Sequence, residues 1–283
     1  MLLKVPSKTF RSNDFPLVVG VLNLTPDSFY DGGKYNDLRS IYKLVEKYLD
    51  EGADIIDIGA ESTKPGSKRV SYEEEKRRLF PIVNKIIKKY NPIISLDTMK
   101  SEIAKIGLDL GVELINDVTG FMYDESMPKV IANYKCGLII NHTPGLPQIM
   151  QKKTNYKNII KDIIKFFESI LDTCKKNNIP LNSIVLDPGI GFGKTTEQNI
   201  HLIKKADEFQ IFKRPIMYGI SNKSFIGNIL NIKNPDKRVN GSVISSLFSI
   251  MNGVNIIRTH NVKETVEMIK LWRVFKWFLV QMV

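Results

Sequence analysis

The polar residues that end this chain's apolar runs are of types that could do chemistry: Asn23, Asp57, Asp97, Asn116, His142, Asp187, Lys223, Arg258 and His260. The most informative stretch is Ile184–Lys194, where an apolar run enters Asp187-Pro188 and then Gly189, Gly191 and Gly193 alternate around Ile190 and Phe192. Proline ends sheet pairing by removing a backbone donor. A carboxylate therefore stands at the mouth of a buried strand, beside bare backbone, which reads as the floor of a ligand site. The same glycines would also serve a plain strand-to-helix turn. Their spacing fits neither a phosphate-cradling G-x-x-x-x-G-K-[ST] loop nor the dinucleotide fingerprint G-x-G-x-x-G.

Taken singly, each of these residues caps a helix or satisfies a loop, and Asp57 in particular has a structural reading. Taken together they put carboxylates, amides and cations in one mouth. Arg258 and His260 suit a phosphate. Asn23 offers a neutral oxygen to Mg²⁺, a cation that prefers oxygen donors and phosphate partners. Asp97, Asn116 and Asp187 offer acceptors and a donor to the edge of a nitrogen-rich heterocycle, and Lys223 can direct a charge or proton at its carbonyl or imine nitrogen. The physical reading is a phosphorylated heterocycle, held by carboxylates at one end and cations at the other.

Positioning such a set requires the chain to bring many strand ends together. Eight apolar runs recur, each followed by a polar residue, a loop and an amphipathic segment: Leu17–Leu22, Asp54–Ile58, Pro92 to Asp97, Val112–Ile115, Gly137–Ile140, the Ile184 stretch, Pro215 to Gly219, and Val254–Ile257. Helical periodicity shows in Leu38, Ile41, Tyr42, Val45, Tyr48 and Leu49, with Asp37 placed to cap and Gly52 to stop the helix. Ser71 and Glu74 form a capping-box pattern. Ile159, Ile160, Ile163, Ile164, Phe167, Ile170 and Leu171 make one face of a long helix. Continuous apolar strands argue for a parallel sheet. Eight such units argue for a (β/α)₈ TIM barrel, a single domain over residues 1–283 with the active site at the C-terminal ends of its strands. A doubly wound open sheet is the alternative.

Composition is ordinary for a globular chain of 283 residues, with 43% hydrophobic and 25% charged residues. The net charge of +11 is spread over scattered lysines, with no arginine-rich arm or zinc spacing, so no nucleic-acid partner is expected. Lys4, Pro6 and Lys8 interrupt any apolar leader. Leu271–Val283 is apolar but short, and Arg273 and Lys276 break it; a spanning helix needs about 20 apolar residues. It reads as a packing helix, with no membrane partner expected. Cys136 and Cys174 lack metal or redox spacing and read as buried apolar residues suited to the cytoplasm.

From about Val18 to Val262 the chain resembles the dihydropteroate synthases. The motifs are Asn23-Leu24-Thr25-Pro26-Asp27-Ser28-Phe29, Glu61-Ser62-Thr63-Lys64-Pro65-Gly66, Ser95-Leu96-Asp97-Thr98, Ile115-Asn116-Asp117, Asp187 to Lys194, Gly219-Ile220-Ser221-Asn222-Lys223-Ser224-Phe225-Ile226-Gly227 and Arg258-Thr259-His260. The resemblance implies a transferase of folate biosynthesis that joins 6-hydroxymethyl-7,8-dihydropterin diphosphate to p-aminobenzoate and releases diphosphate. It implies that Asn23 holds Mg²⁺, that Arg258 and His260, with Thr259 between them, hold the diphosphate, and that Thr63 sits in a closing loop. Asp97, Asn116, Asp187 and Lys223 would bind the pterin, with Phe192 flanking it. Phe29, Pro65, Lys223 and Ser224 would form the p-aminobenzoate pocket. Asp97, Lys223, Arg258 and His260 would carry the catalysis, and a homodimer is expected.

This chain departs from the family pattern at Asn222 and Lys64, where arginine is usual, and at Thr143-Pro144 after His142. Related readings are a pterin-dependent methyltransferase of the same barrel class and a non-catalytic pterin-binding homologue.

Overall fold

In the computed structural model, residues 1–25, 35–62, 67, 69–146 and 149–281 are described, with side chains for all of these except 35–37 and 277–281. The apolar runs form the strands β3 (Leu17–Asn23), β4 (Ile55–Gly59), β5 (Ile94–Asp97), β6 (Leu114–Asp117), β7 (Gly137–Asn141), β8 (Ile184–Asp187), β9 (Met217–Gly219) and β10 (Ile256–Thr259). They follow an antiparallel hairpin, β1 (Leu2–Lys4) with β2 (Thr9–Arg11), which periodicity alone had not marked.

The eight strands pair in parallel in the order β8-β7-β6-β5-β4-β3-β10-β9. A parallel bridge between Leu186 and Ile216, with the Leu186 amide donating to the Pro215 carbonyl at 3.0 Å, joins the two outer strands and closes the barrel. Closure removes the exposed edges that an open sheet would have to protect. The (β/α)₈ expectation holds. Pro215 itself lies just before β9, consistent with its missing N–H.

Helices cover the outside: α1 (Tyr35–Asp50), α2 (Tyr72–Tyr90), α3 (Ser101–Asp109), α4 (Met127–Tyr134), α5 (Ile159–Lys176), α6 (Thr196–Lys204), α7 (Ser224–Leu230), α8 (Val239–Met251) and α9 (Val262–Gln281). The long α5 buries the apolar face expected of it, and Asn158 caps it by accepting from the Lys161 amide at 3.1 Å. Two local expectations change. Helix α1 begins at Tyr35, so Asp37 lies inside it. Ser71 accepts from the Glu74 amide at 3.2 Å, but the Glu74 carboxylate pairs with Arg77 and Arg78. Two guanidinium ions outbid a single backbone N–H for that carboxylate.

Two apolar layers explain where the site sits. Val18, Ile56, Leu96, Ile115, Ile140, Leu186 and Ile257 face the helices. Leu17, Val19, Ile55, Leu114, Ile139, Val185, Met217 and Ile256 fill the barrel interior, joined by Leu3, Val5 and Phe10 of the hairpin segment. Most of those interior residues open their strands, so the hairpin plugs the N-terminal end; Ser7 ties it to Glu113 through bonds of 2.7 and 2.8 Å. Side chains alternate along a strand, so the residue two after an interior one must point into the opposite mouth. Cys136 and Cys174 are buried and unpaired as thiols.

Candidate active site

That alternation places Asp57 after Ile55, Asn116 after Leu114, Asn141 after Ile139, Asp187 after Val185 and Arg258 after Ile256. Asp97, Asn116, Asn141, Asp187, Lys223 and Arg258 converge on one pocket at the C-terminal ends of the strands, with Phe192 at its wall.

Its floor is ionic. Arg258 Nε donates to Asp57 Oδ2 at 2.6 Å and Nη2 donates to Asp97 Oδ2 at 3.0 Å. Asn116 Nδ2 donates to the same Asp57 oxygen at 3.2 Å. Asp57 is fully buried. Burial and the neighbouring Asp57 charge push the Asp97 carboxyl up to about 8, against the pull of Arg258. The physical cause is two carboxylates sharing one guanidinium in a dry site, which favours keeping one proton.

Across the pocket, Asp187 Oδ1 accepts from the Gly189 amide at 2.7 Å. Burial raises its carboxyl to about 6, and that hydrogen bond opposes the rise. Lys223 Nζ lies 4.2 Å from the centre of the Phe192 ring. Burial, then Arg258, lowers its amine to about 8. Gly191, at φ +81°, permits this arrangement, since a Cβ there would come within 2.9 Å of Lys223 Cδ. Gly189, at φ +74°, is required more strictly, because a Cβ would lie 2.0 Å from the His142 carbonyl oxygen.

Asp57 Oδ1, Asn116 Oδ1 and Asn141 Oδ1 are buried acceptors with no partner among the described residues. Burying an acceptor unsatisfied costs about 1–3 kcal/mol each. Asn116 and Asn141 line the pocket, with Asp57 buried beside Asn116 and Arg258; the two lining oxygens select a ligand that presents N–H donors.

At the rim, Asn23 Nδ2 and His260 Nε2 stand 3.4 Å apart, and His260 Nδ1 is 3.2 Å from Ser221 Oγ. Ser224 is exposed at the start of α7. Thr259 is placed differently. One residue out of phase with Arg258, it is buried, and its hydroxyl accepts from the Asn261 amide at 3.0 Å and from the Thr265 hydroxyl at 3.3 Å, beside the start of α9. Phe29, Thr63, Lys64 and Pro65 lie outside the described residues. Asn222 takes the left-handed conformation at φ +59°, its amide donating to Ser242 Oγ at 2.9 Å.

His142 is likewise out of phase and does not reach the mouth. Its ring packs edge-on to Phe166 at 5.0 Å, and Nδ1 lies 3.2 Å from Lys194 Nζ. Asn141, in the pocket, and Lys194, beside His142, are residues that the ends of the apolar runs do not single out. Lys194 Nζ also donates to the Phe192 carbonyl at 3.0 Å, tying the glycine loop to the end of β7. Burial lowers the Lys194 amine from 10.5 to about 7. Between those values the unfolded chain binds the proton and the folded chain does not, so stability from this group rises with pH. Chemical denaturation between pH 7 and 10 is expected to show wild type gaining on Lys194→Met, by at most about 1.4 kcal/mol per pH unit. A parallel pair of curves would refute it.

Comparison with known proteins gives the family and the fold. The family described as "Pterin binding enzyme" matches residues 19–260. The dihydropteroate synthase of Clostridium beijerinckii is 38% identical over 263 residues, covering 93% of this chain and 95% of that protein. That of Escherichia coli strain K12 is 37% identical over 256 residues, covering 90% of each. Among solved structures, the Yersinia pestis dihydropteroate synthase with a sulfonamide drug complex superposes with a TM-score of 0.91 at 36% identity, covering 98% of this chain and 99% of that one. The Thermus thermophilus enzyme in complex with 4-aminobenzoate gives a TM-score of 0.84 at 35% identity, covering 97% and 99%. With its barrel, its strand-end polar set and relatives matched over nearly their whole length, the chain belongs to the dihydropteroate synthase family of pterin-binding enzymes.

Proposed function

We propose that this chain, as one pterin-binding domain, condenses 6-hydroxymethyl-7,8-dihydropterin diphosphate with p-aminobenzoate, giving 7,8-dihydropteroate and diphosphate. The observation that carries this reading is the single pocket in which Asp97, Asn116, Asp187, Lys223 and Arg258 meet, with unpartnered acceptors beside a cationic wall. A methyl donor carries no diphosphate for Arg258 and the rim residue His260 to hold.

Asp97, Asn116 and Asp187 hold the N–H groups of the pterin, and Lys223 faces its ring acceptors. Phe192 flanks the ring. Arg258 and His260 bind the diphosphate, with the backbone of Thr259 carrying them from one strand. Ser224 at the mouth, with Phe29 and Pro65, forms the p-aminobenzoate pocket, and Thr63 belongs to the loop that closes it. Charge placement then favours departure of diphosphate before attack: cations stabilise the leaving group while Asp97 stabilises positive charge on the pterin. Preorganised charges of this kind contribute several kcal/mol, and a closed site keeps water from capturing the cation.

Asn23 fits Mg²⁺ as a single neutral ligand. Its amide nitrogen faces His260, which leaves its carbonyl oxygen for a cation otherwise held by phosphate oxygens and water. When bound, the ion would neutralise charge on the leaving diphosphate. We assign the chain to the cytoplasm; among the described residues no helix is long and apolar enough to cross a membrane. We also propose a homodimer through the late helices. Ile244, Phe248 and Met251 of α8 and Leu271, Val274 and Phe275 of α9 are each at least half exposed, an apolar surface of the kind that marks an interface.

The test is diphosphate release measured with and without p-aminobenzoate. Release that depends on the arylamine supports the synthase; release or methyl transfer without it removes the reading. Asn222→Arg restores a cation near the arylamine pocket and is expected to lower the KM for p-aminobenzoate. It should also cost about 1 kcal/mol of stability, since asparagine tolerates the left-handed conformation better than arginine. An unchanged KM would count against a role for position 222.

A further inference from the structure

We infer that Asn141 is a specificity-determining residue of the pterin pocket, its carboxamide oxygen accepting from the exocyclic amino group of the ring beside Asp187. The inference rests on the pterin reading above and deepens it.

Asn141 ends β7 and pairs in register with Asp187 at the end of β8. Both continue the interior phase of their strands, after Ile139 and Val185, so both side chains are directed into the mouth. Both are buried, at 4% and 2% exposure. Gly189 lies between them. Its amide donates to Asp187 Oδ1 at 2.7 Å, and a Cβ at that position would come within 2.8 Å of Asn141 Oδ1. The carboxylate and the carboxamide oxygen therefore flank the same backbone atom and present two acceptors side by side. Asp187 already has one oxygen satisfied by Gly189, whereas Asn141 Oδ1 has no partner among the described residues.

An amino-pyrimidinone edge supplies what this pair lacks: an amino group beside a ring N–H, two donors on adjacent atoms. A ring without the amino group would leave Asn141 Oδ1 buried and unsatisfied. Sites built to bond a donor reject analogues lacking it because their own buried polar atoms are then left unpaired. Asn141 thus selects the 2-amino pterin over otherwise similar bicyclic rings. Asn116 Oδ1 is also unpartnered among the described residues, but Asn116 lies in register with Asp97 rather than Asp187, and its amide nitrogen is committed to Asp57.

The experiment is isothermal titration of the full chain with 6-hydroxymethylpterin and with the same ring lacking its 2-amino group. Wild type and Asn141→Leu, which keeps the side-chain shape and removes the carboxamide, are compared. Asn141→Leu is expected to weaken the amino-bearing ring about tenfold, the loss of one hydrogen bond, and to leave the other ring bound as well as before or more tightly, since its binding no longer strands a buried oxygen. In turnover, the KM for the pterin diphosphate should rise while that for p-aminobenzoate stays unchanged. A merely structural residue would not discriminate between the rings. Equal losses for both rings, or none for either, overturns the assignment while wild-type pterin binding leaves the function standing. Failure of wild type to bind either ring overturns both. Asn141→Ala repeats the comparison should leucine at that position not fold.

Discussion

Asp97→Asn is expected to lower kcat by about 10²–10³-fold in a protein that remains folded, the scale seen when one preorganised electrostatic group is removed. Asparagine keeps the volume and can still accept from Arg258 Nη2, now at 3.0 Å from the carboxylate. What it loses is the charge opposed to a developing pterin cation. The buried Asp57–Asp97 pair gives this prediction its pH dependence. The Asp97 carboxyl stands near 8 instead of 3.8, so wild-type activity should climb as pH rises through that region, and the variant should lack the limb.

Stability supplies the control. A carboxyl whose folded value is raised binds more protons folded than unfolded between 3.8 and about 8. Its stabilising contribution is complete below the unfolded value and lost as pH rises through the folded one. Asp97→Asn removes that loss, so urea denaturation at pH 8 should find the variant at least as stable as wild type. An inactive variant that is also less stable at pH 8 would point to simple unfolding and remove Asp97 from the chemistry.

Arg258→Ala is expected to weaken the pterin diphosphate by 100-fold or more, about 2.7 kcal/mol, and a bare pterin by far less. A single cation in a low-dielectric mouth contributes most to the ligand that carries the anion. The arginine also neutralises two buried carboxylates, Asp57 and Asp97. Removing one partner of a buried pair costs about 3–5 kcal/mol because the other charge is stranded. The double variant Asp57→Asn/Arg258→Ala should therefore recover much of the stability and none of the diphosphate affinity. Equal losses for the two ligands in Arg258→Ala would place the phosphate site elsewhere.

Asp57 shows where a residue's sequence context misleads. Within Ile55-Ile56-Asp57-Ile58 it reads as a structural carboxylate, and it is fully buried as that reading requires. It is nonetheless the group that orients both Arg258 and Asn116. No property of the local sequence announces this, because its partners lie 201 and 59 positions away. The hairpin β1–β2 escaped notice for a different reason. Its strands have three residues each, too short for alternation to register, and the need for a plug exists only once the barrel has closed.

His142 and Asn141 are the sharper case. Histidine draws attention by its chemistry, but the phase of β7 decides which of the two enters the mouth. Ile139 faces the interior and Ile140 the helices, which sends Asn141 inward and His142 to Phe166 and Lys194. The same one-residue offset turns Thr259 toward the start of α9 beside an inward Arg258.

By itself the sequence determined the eight parallel units, the helix faces and the order of the strand-end residues, because apolar periodicity and glycine spacing are local and survive in one dimension. Only the tertiary structure decided which strand-end side chains share the pocket, that Arg258 rests on Asp57 and Asp97, and that Asn141 rather than His142 looks into the mouth. Those outcomes follow from barrel closure, which fixes the phase of every strand at once and sets charges far apart in the chain within hydrogen-bond reach.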